Sequence, residues 1–372
     1  MSKLLDLIEE LCPKGVPFKK ISEIASVERG KRVVREQLPA SGKYLVYQNS
    51  LTPLGFIDEF NYPANTTFVI GAGAAGEIGY SRDDFWAADD CFPIVCNDSL
   101  DSKYMYHFLL SRQSTILANV RRGSIPRLSR QVIETLSIPV PPIAVQLEIV
   151  HILDLFIELD NELNRELDKR NLQFEGCSRM LFNSIRSTAP RFELWKLCNV
   201  TKGVSPIQKT NPGQYPMVVT TAERKTSDEY QFDAKAVCIP LVSSRGHGVA
   251  SLNHVYYQEG KFALGNILCA LVPLDESKLI AKYLYYYFEE TKDYSLVPLM
   301  KGGANVSLRI DDIVKVSVPV PPIEVQEKII HSLEHFEELC YSKKSGIPAE
   351  IEARQKQYEY YRDQLFTFTE IQ

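Results

Sequence analysis

The sequence predicts an α+β chain with two similar β-rich globular segments and two long helices, related by an internal repeat. Two observations carry this prediction. Residues 136–159 and 316–339 are near copies, with fourteen of twenty-four positions identical at a shift of 180. In each copy, apolar residues then recur at steps of three and four, which is typical of a narrow coiled-coil seam. A fixed long offset indicates one structural unit written twice, and two matching seams most simply pack on each other.

The first half opens with a short amphipathic helix that ends near Cys12 and Pro13. Residues 31–100 contain turns and short apolar runs, which predict irregular β-rich structure. Residues 103–120 have helical periodicity, and a basic loop with glycine and proline follows at 121–129. A short β-branched strand then ends in prolines, because proline is excluded from central strands. Pro142 can serve as the first residue of the long helix.

The second half repeats this order of elements. Between the matching segments, residues 31–66 and 204–240 cannot be aligned by eye, which favours one scaffold that carries two different recognition surfaces. Gly346 and Pro348 should interrupt the second long helix. Aligning Leu365-Phe366 with Leu181-Phe182 needs a shift of 184, so this helix carries four extra residues, a stutter in the seam.

Composition narrows the class of protein. The chain has 372 residues, a formal net charge of −5 and 45% hydrophobic residues, which fits two globular domains. No apolar run approaches the ~20 residues of a membrane span, and acidic residues interrupt the apolar N-terminus, so we expect a cytoplasmic protein. The eight cysteines form no C-x-x-C pair, which favours reduced, buried thiols. The net charge argues mildly against nucleic-acid binding, but basic residues cluster between the acidic helices.

Motifs of enzymes are weak here. GAGAAG at 71–76 matches a dinucleotide-binding pattern, but EIGYSRDDFW after it is not helix-like, so we predict a tight turn. No phosphate-binding P-loop and no methyltransferase motif is present. His331 and His335 have the spacing of half a zinc site but lack a third ligand, so a solvated helix face is expected. The acidic pairs 83–84 and 89–90 fall in turns that the second half lacks. We therefore predict no catalytic residue and no metal site.

The basic and polar loop residues are the better candidates for a binding site. Arginine can pair with guanine, asparagine or glutamine with adenine, and lysine or arginine with phosphates. The candidates are Arg29, Lys31, Arg32, Gln48, Asn49, Arg121, Arg122, Arg127, Lys202, Lys209, Arg224, Lys225, Arg245, His247, Lys301 and Arg309. Arg121, Arg122 and Lys301 are the strongest, because both halves place basic charge beside a glycine there. The sequence leaves open which of them contact bases and which contact phosphates.

The segments ELCPKGVPFKKISEI, RRGSIPRL, the repeated PVPPIxVQ and PAEIEARQKQYEYYRDQLF together resemble the specificity (S) subunit of type I restriction-modification enzymes. The resemblance covers essentially the whole chain. It implies two target-recognition domains, each reading one half of a split DNA sequence, separated by two long antiparallel coiled-coil helices. The resemblance further implies that this chain catalyses no reaction itself. Two methyltransferase (M) subunits would dock on the helices and bind S-adenosylmethionine, and restriction (R) subunits would use ATP and Mg²⁺.

The residues agree with this resemblance. Boundaries are expected at 1–138 for the first recognition domain, 139–186 for the central helix, 187–318 for the second domain and 319–372 for the C-terminal helix. A helix of about 42 residues spans ~60 Å, enough to place two domains on half-sites about one DNA turn apart. Because the halves differ between their matching segments, the expected double-stranded DNA target is asymmetric.

Two alternatives remain from the sequence. The chain could be a coiled-coil adaptor whose two β-rich heads bind proteins. It could also be an enzyme, either a methyltransferase fused to a specificity domain or a nuclease. Salt-dependent DNA binding would distinguish a DNA-specificity subunit from the adaptor. Activity of the purified chain on DNA would distinguish the enzyme from both.

Overall fold

A computed structural model describes residues 2–221, 225–245 and 247–371. Up to residue 139 its helices and strands are α1 Ser2–Leu11, β1 Phe18–Lys20, α2 Ile21–Ile24, β2 Ala25–Val27, β3 Tyr44–Tyr47, β4 Gly55–Ile57, β5 Thr66–Ile70, β6 Ile78–Ser81, β7 Phe85–Ala87, β8 Cys91–Cys96, α3 Ser102–Ser111, α4 Gln113–Ala118, α5 Arg130–Glu134 and β9 Ser137–Pro139.

The remaining elements begin with the long helix. They are α6 Ile143–Thr188, β10 Arg191–Glu193, β11 Cys198–Lys202, β12 Tyr215–Val218, β13 Lys225–Ser227, β14 Phe232–Asp233, β15 Ala236–Pro240, β16 Tyr256–Gln258, β17 Lys261–Leu264, β18 Leu268–Pro273, α7 Ala281–Ser295, α8 Ile310–Ile313, β19 Ser317–Pro319, α9 Ile323–Tyr341 and α10 Ile347–Leu365.

The chain divides into two compact units. Unit 1 holds residues 2–165 together with 350–371, and unit 2 holds residues 166–349. The boundary falls inside α6, so each unit contains one half of this 46-residue helix. Most of α10 belongs to unit 1, although more than 180 residues separate it in sequence from the first part of that unit.

Both units contain a four-stranded antiparallel sheet and a second, mixed sheet, which has three strands in unit 1 and four in unit 2. In unit 1, β2, β8, β5 and β6 form an antiparallel sheet in the order β2-β8-β5-β6, and β3 pairs in parallel with β7 and antiparallel with β4. In unit 2 the orders are β11-β18-β15-β16 and β13-β12-β17-β14, with β12 parallel to β17. A two-stranded ribbon completes each unit, β1 with β9 and β10 with β19. The prediction of two similar β-rich domains is confirmed.

The repeated PVPPIxVQ motif joins each sheet region to its helix through a buried glutamine. Gln146 is fully buried, and its amide nitrogen donates to the carbonyls of Pro141 and Ser99 at 2.7 and 2.9 Å while its oxygen accepts from Asp101 N. Gln326 makes the same three bonds in unit 2, to Pro321, Lys278 and Ile280. Buried polar groups are costly unless they are hydrogen-bonded, so this side chain is restricted to one geometry. This role of the glutamine was not predicted from the sequence.

The long helices pair antiparallel within each unit. In unit 1, Phe156 on α6 packs against Tyr361 on α10 with ring centroids 5.6 Å apart, and Gln355 reaches Asp160 one turn further along α6. In unit 2, Phe174 on α6 packs against Phe336 on α9 at 6.2 Å. There, burial raises the pKa of Cys340, one turn after Phe336, and Arg170, one turn before Phe174, opposes the shift. In both units, residues later in α6 thus contact residues earlier in the partner helix, so the two helices run antiparallel.

A phenylalanine near the end of each helix enters the core of a unit. Phe182 on α6 packs on Tyr283 and Tyr287 in unit 2, with centroids 5.9 and 5.8 Å apart. The residue 184 positions later, Phe366, packs on Tyr104 and Phe108 in unit 1 at 5.0 and 5.6 Å. Phe182 and Phe366 therefore occupy equivalent positions in the two units, as the shift of 184 predicts. The predicted break is also confirmed, since α9 ends at Tyr341 and α10 begins at Ile347 with Pro348 in its first turn.

Unit 1 is completed by residues 369–371. Val16 N donates to the Thr369 carbonyl at 2.9 Å, and Ile371 N donates to the Val16 carbonyl at 3.1 Å. Val16 is buried, as is Leu4 from α1. The first strand region of unit 1 is thus paired with a segment from the far end of the sequence.

Candidate nucleic-acid interface

A closed basic loop protrudes from unit 1 between α4 and α5. Arg121 N donates to the Arg127 carbonyl at 2.9 Å, and Arg127 N donates back to the Arg121 carbonyl at 3.1 Å. Residues 121–125 at this loop are exposed, whereas Leu128 behind it is buried and donates its N–H to the Gly71 carbonyl at 2.8 Å. In the described part of the chain, no carboxylate pairs with Arg121, Arg122 or Arg127. The loop therefore presents uncompensated positive charge on a backbone held at both ends.

Unit 2 builds the same loop from different residues. Lys301 N and Ser307 N donate to each other's carbonyls at 2.8 and 2.9 Å, and Leu308 N donates to the Leu241 carbonyl at 2.8 Å. Lys301 is exposed, and its ammonium lies 3.7 Å from a carboxylate oxygen of Asp312. Ser307 occupies the position of Arg127. The backbone is repeated, but the charge at this loop is smaller in unit 2.

The glycine-rich turn of unit 1 is a packing device. Gly73 has a φ of +85°, and a side chain there would meet the Asn49 carbonyl at 2.7 Å. Gly73 N donates to the Pro126 carbonyl at 3.1 Å, and Ala74 N donates to the Asn49 carbonyl at 2.8 Å. Strand β6 follows this turn, so the helix that a dinucleotide site requires is missing at this point, as the sequence predicted. The turn instead brings Asn49 next to the basic loop.

The remaining candidate residues of unit 1 differ in whether their side chains already have partners within the protein. Arg29 is exposed, but its Nε donates to the Asp89 carbonyl at 2.8 Å and a guanidinium nitrogen lies 4.0 Å from the Asp89 carboxylate. The Lys31 ammonium lies over the Trp86 ring, 5.6 Å from its centroid. Arg32 is exposed, and Gln48 is half-buried at the end of β3. Arg29 and Lys31 are thus partly engaged by the protein itself.

In unit 2 the structure brings Arg245 and His247 to the loop of Lys301. Ser243 N donates to the Val306 carbonyl at 3.0 Å, and Gly248 N donates to the Ala304 carbonyl at 3.2 Å. Arg245 and His247 lie between these two anchors and are exposed. His247 has a φ of +60°, a left-handed conformation that is uncommon outside glycine. This segment and the 301–307 loop therefore form one surface.

The other candidates of unit 2 have different environments. The Lys225 ammonium donates to the Ile207 carbonyl at 3.1 Å, so this side chain is used inside the unit. Lys202 is exposed at the end of β11, Lys209 is exposed in the following loop, and Arg309 is exposed just before α8. Arg224 lies outside the described residues. The inward direction of Lys225 could not be read from its sequence context.

Other kinds of site find little support. Within residues 2–221, 225–245 and 247–371, His, Cys, Asp and Glu form no group of three or more that could hold a metal ion. His331 and His335 are both exposed on α9. All eight cysteines are free thiols. Helices of sufficient length and hydrophobicity to cross a bilayer are not found in the described part of the chain.

Sequence and structure comparisons agree with one another. The chain matches the family model described as the type I restriction modification DNA specificity domain twice, over residues 13–170 and 190–353. It is 27% identical over 371 residues to a protein of Mycoplasma pneumoniae named as a type I specificity subunit, covering 95% of this chain and 98% of that protein. A Haemophilus influenzae protein named as a type I restriction enzyme specificity subunit is 27% identical over 384 residues, with 95% and 96% covered.

A solved structure shares the fold. The crystal structure of the S subunit of a type I restriction-modification system from M. genitalium superposes with a TM-score of 0.59 at 18% identity. The match covers 95% of this chain and 96% of that one. The first family-model match contains strands β1 to β9, and the second contains strands β10 to β19.

Proposed function

The chain belongs to the type I restriction-modification DNA specificity family, and on that premise we propose that it is the sequence-specific DNA-binding subunit of such a complex. Each recognition domain reads one half of a split, asymmetric double-stranded DNA target. The paired helices set the gap between the half-sites and dock methyltransferase subunits. The chain performs no catalysis of its own.

One observation carries this proposal most directly. Both units present a loop closed by the same pair of backbone hydrogen bonds, yet the loop residues differ, RGSIP in one and GGANV in the other. Backbone-held basic loops suit phosphate contacts, which fix register, whereas differing side chains on a common scaffold suit different base sequences. Two copies of one scaffold with unlike loops therefore favour an asymmetric target.

The helices support partner docking. Leu147, Leu155, Leu172 and Met180 on α6 are exposed by 49–73%. Under the proposed function, these exposed apolar side chains are candidate contacts for a protein partner. Under this proposal the partners are two methyltransferase subunits, which would hold S-adenosylmethionine, and restriction subunits, which would use ATP and Mg²⁺. No residue of this chain is assigned to a cofactor.

The experiment uses the chain assembled with the methyltransferase subunits it occurs with. We expect methylome sequencing of cells that express the complex to give one split motif with two unlike halves. A contiguous or palindromic motif would contradict the two-reader model. No motif at all, with binding of a protein partner instead, would favour the adaptor alternative.

Charge removal tests the interface itself. Arg121→Ala with Arg122→Ala, or Lys301→Ala, should weaken DNA binding across all sequences and reduce the salt slope by about one per lost phosphate contact. Lys235→Ala is the matched control. Lys235 is exposed and precedes β15, at the opposite end of that strand from the 241–248 segment, so we expect no change in its salt slope. Equal effects of all three variants would contradict the proposed interface.

A further inference from the structure

Asn49 in unit 1 and Thr220 in unit 2 occupy the same position in the fold. Tyr47 is the last residue of β3 and pairs with Ala87, and its carbonyl accepts from Ala88 N at 2.8 Å. Val218 is the last residue of β12 and pairs with Leu264, and its carbonyl accepts from Gly265 N at 3.0 Å. Each position lies two residues beyond this shared parallel pairing. The sequence could not show this, because the segments around these residues do not align.

The Asn49 backbone is fixed beside the basic loop. Its carbonyl accepts from Ala74 N at 2.8 Å, and its Cβ lies 2.9 Å from where a side chain on Gly73 would begin. Gly73 in turn donates to the Pro126 carbonyl, inside the 121–127 loop. Glycine is required here because any side chain would displace Asn49. The turn therefore holds position 49 directly against the loop that carries Arg121 and Arg122.

The Asn49 amide has no partner in the described part of the chain, and the residue is exposed. Asn61 shows the contrast. Its Nδ2 donates to the Ala87 carbonyl at 2.9 Å and its Oδ1 accepts from Ala87 N at 2.7 Å, so its amide serves the fold. The donor and the acceptor of Asn49 both remain available to a ligand. An asparagine amide can form a two-bond pair with adenine N6 and N7 in the DNA major groove.

We propose that Asn49 reads an adenine in the first half-site, and that Thr220, which the strand pairing makes equivalent, is its counterpart in unit 2. This rests on the proposed function and deepens it. Arg121 and Arg122 bind phosphates and set the register, while Asn49 discriminates the base. Thr220 carries a hydroxyl and a methyl group, so it cannot form the two-bond pair with adenine. Its methyl group suits contact with the methyl group of thymine.

The test exchanges the two residues in the assembled methyltransferase complex. Asn49→Thr and Thr220→Asn are compared with wild type by methylome sequencing, then by binding to duplexes that carry each base at each position of the split target. Asn49→Thr should lower the preference for adenine at one position of one half-site by about 5- to 150-fold. Thr220→Asn should raise the preference for adenine at one position of the other half-site. Asn49 is exposed and Thr220 is half-buried, and neither belongs to a core cluster, so thermal unfolding should be little changed.

The outcomes separate this inference from the proposed function. If wild type has a split motif but Asn49→Thr leaves every base preference unchanged, the inference is overturned and the function stands. If Asn49→Thr weakens all duplexes equally, as Arg122→Ala should, Asn49 is a phosphate contact and the inference is again overturned. If wild type itself shows no sequence preference, the proposed function fails first.

Discussion

The two units bury the start of their long helices with different chemistry at matched positions. In unit 1, His107 is completely buried against Asp154 and Tyr358, and Lys103 pairs with the same carboxylate. In unit 2, Lys282 pairs with Glu334, the residue 180 positions after Asp154, and Tyr286 stands at the place of His107. The Tyr286 hydroxyl donates to Glu337 at 2.7 Å. Both units keep the lysine–carboxylate pair. Beside it, unit 1 has the imidazole of His107, whereas unit 2 has the Tyr286 hydroxyl bonded to the Glu337 carboxylate.

This difference shows what the repeat constrains. The residues that fix backbone geometry, such as Gln146 and Gln326, have identical bonds in both units. Side chains that only fill and neutralise a half-buried space have diverged, because several residue types satisfy that requirement. We therefore expect the two units to share their backbone geometry at these glutamines and to differ in their response to pH.

The largest expected effect comes from breaking the shared feature. Phe182→Ala and Phe366→Ala each remove a ring that is 2% exposed and leave a cavity, so we expect each to cost ~3–5 kcal/mol. Hydrogen exchange should localise the loss to unit 2 for Phe182→Ala and to unit 1 for Phe366→Ala. Met180→Ala and Tyr360→Ala are controls on the same helices, since both side chains are mostly exposed. Loss of protection in the wrong unit would contradict the equivalence at a shift of 184.

A second test sharpens the comparison through pH. Burial lowers the pKa of His107 below its ordinary value of 6.5, although Asp154 opposes the shift. Between the lowered pKa and 6.5, the unfolded chain binds a proton that the folded unit does not, so unit 1 loses stability as pH falls. Burial raises the pKa of Glu337 above its ordinary value of 4.5, although Tyr286 opposes this. In that window the folded unit holds the extra proton, so unit 2 gains stability as pH falls.

Hydrogen exchange at about pH 7.5 and 5.5, corrected for intrinsic rates, measures the loss of stability in unit 1 and the gain in unit 2 in the same sample. Protection of β5 and β8 should fall at the lower pH relative to that of β15 and β18. His107→Tyr places the residue of unit 2 in unit 1 and should remove the acid-induced loss there. The Asp154 pKa, where burial is outweighed by bonds from His107 and Lys103, is lowered and adds a further loss only below its ordinary value of 3.8. An equal response of both units would contradict this assignment.

The smallest expected effect concerns a pair of surface contacts that repeat at a shift of 184. Arg170 Nε donates to Glu166 at 2.7 Å, and Arg354 Nε donates to Glu350 at 2.8 Å. Because these pairs are about 40% exposed and four residues apart on a helix, Glu166→Gln and Glu350→Gln should each cost ~0.3–0.5 kcal/mol. Thermal unfolding in high salt should abolish both losses. A loss that survives high salt would show that packing, and not charge, stabilises these positions.

The sequence alone was enough for the repeat, the long helices and the break near Pro348, because hydrophobic periodicity and proline are local signals. It was not enough for the parallel pairing of β3 with β7, which joins residues forty positions apart and places Asn49 and Thr220 at equivalent points. The burial of His107 was also missed, since a lone histidine in KYMYHFLL has no local pattern that distinguishes it. Lys225 looked like a free cation, but the loop that supplies the Ile207 carbonyl decides its direction. Which predicted residues contact DNA stays a prediction.

The pairing of Val16 with residues 369–371 has a consequence for biosynthesis. Unit 2 is one continuous stretch, so it can assemble as soon as its own residues leave the ribosome. Unit 1 is translated first, but its aromatic core is not covered until Phe366 and residues 369–371 emerge. We therefore expect unit 2 to complete its fold before unit 1, and we expect a premature stop codon after residue 349 to damage the half of the protein that is made earliest.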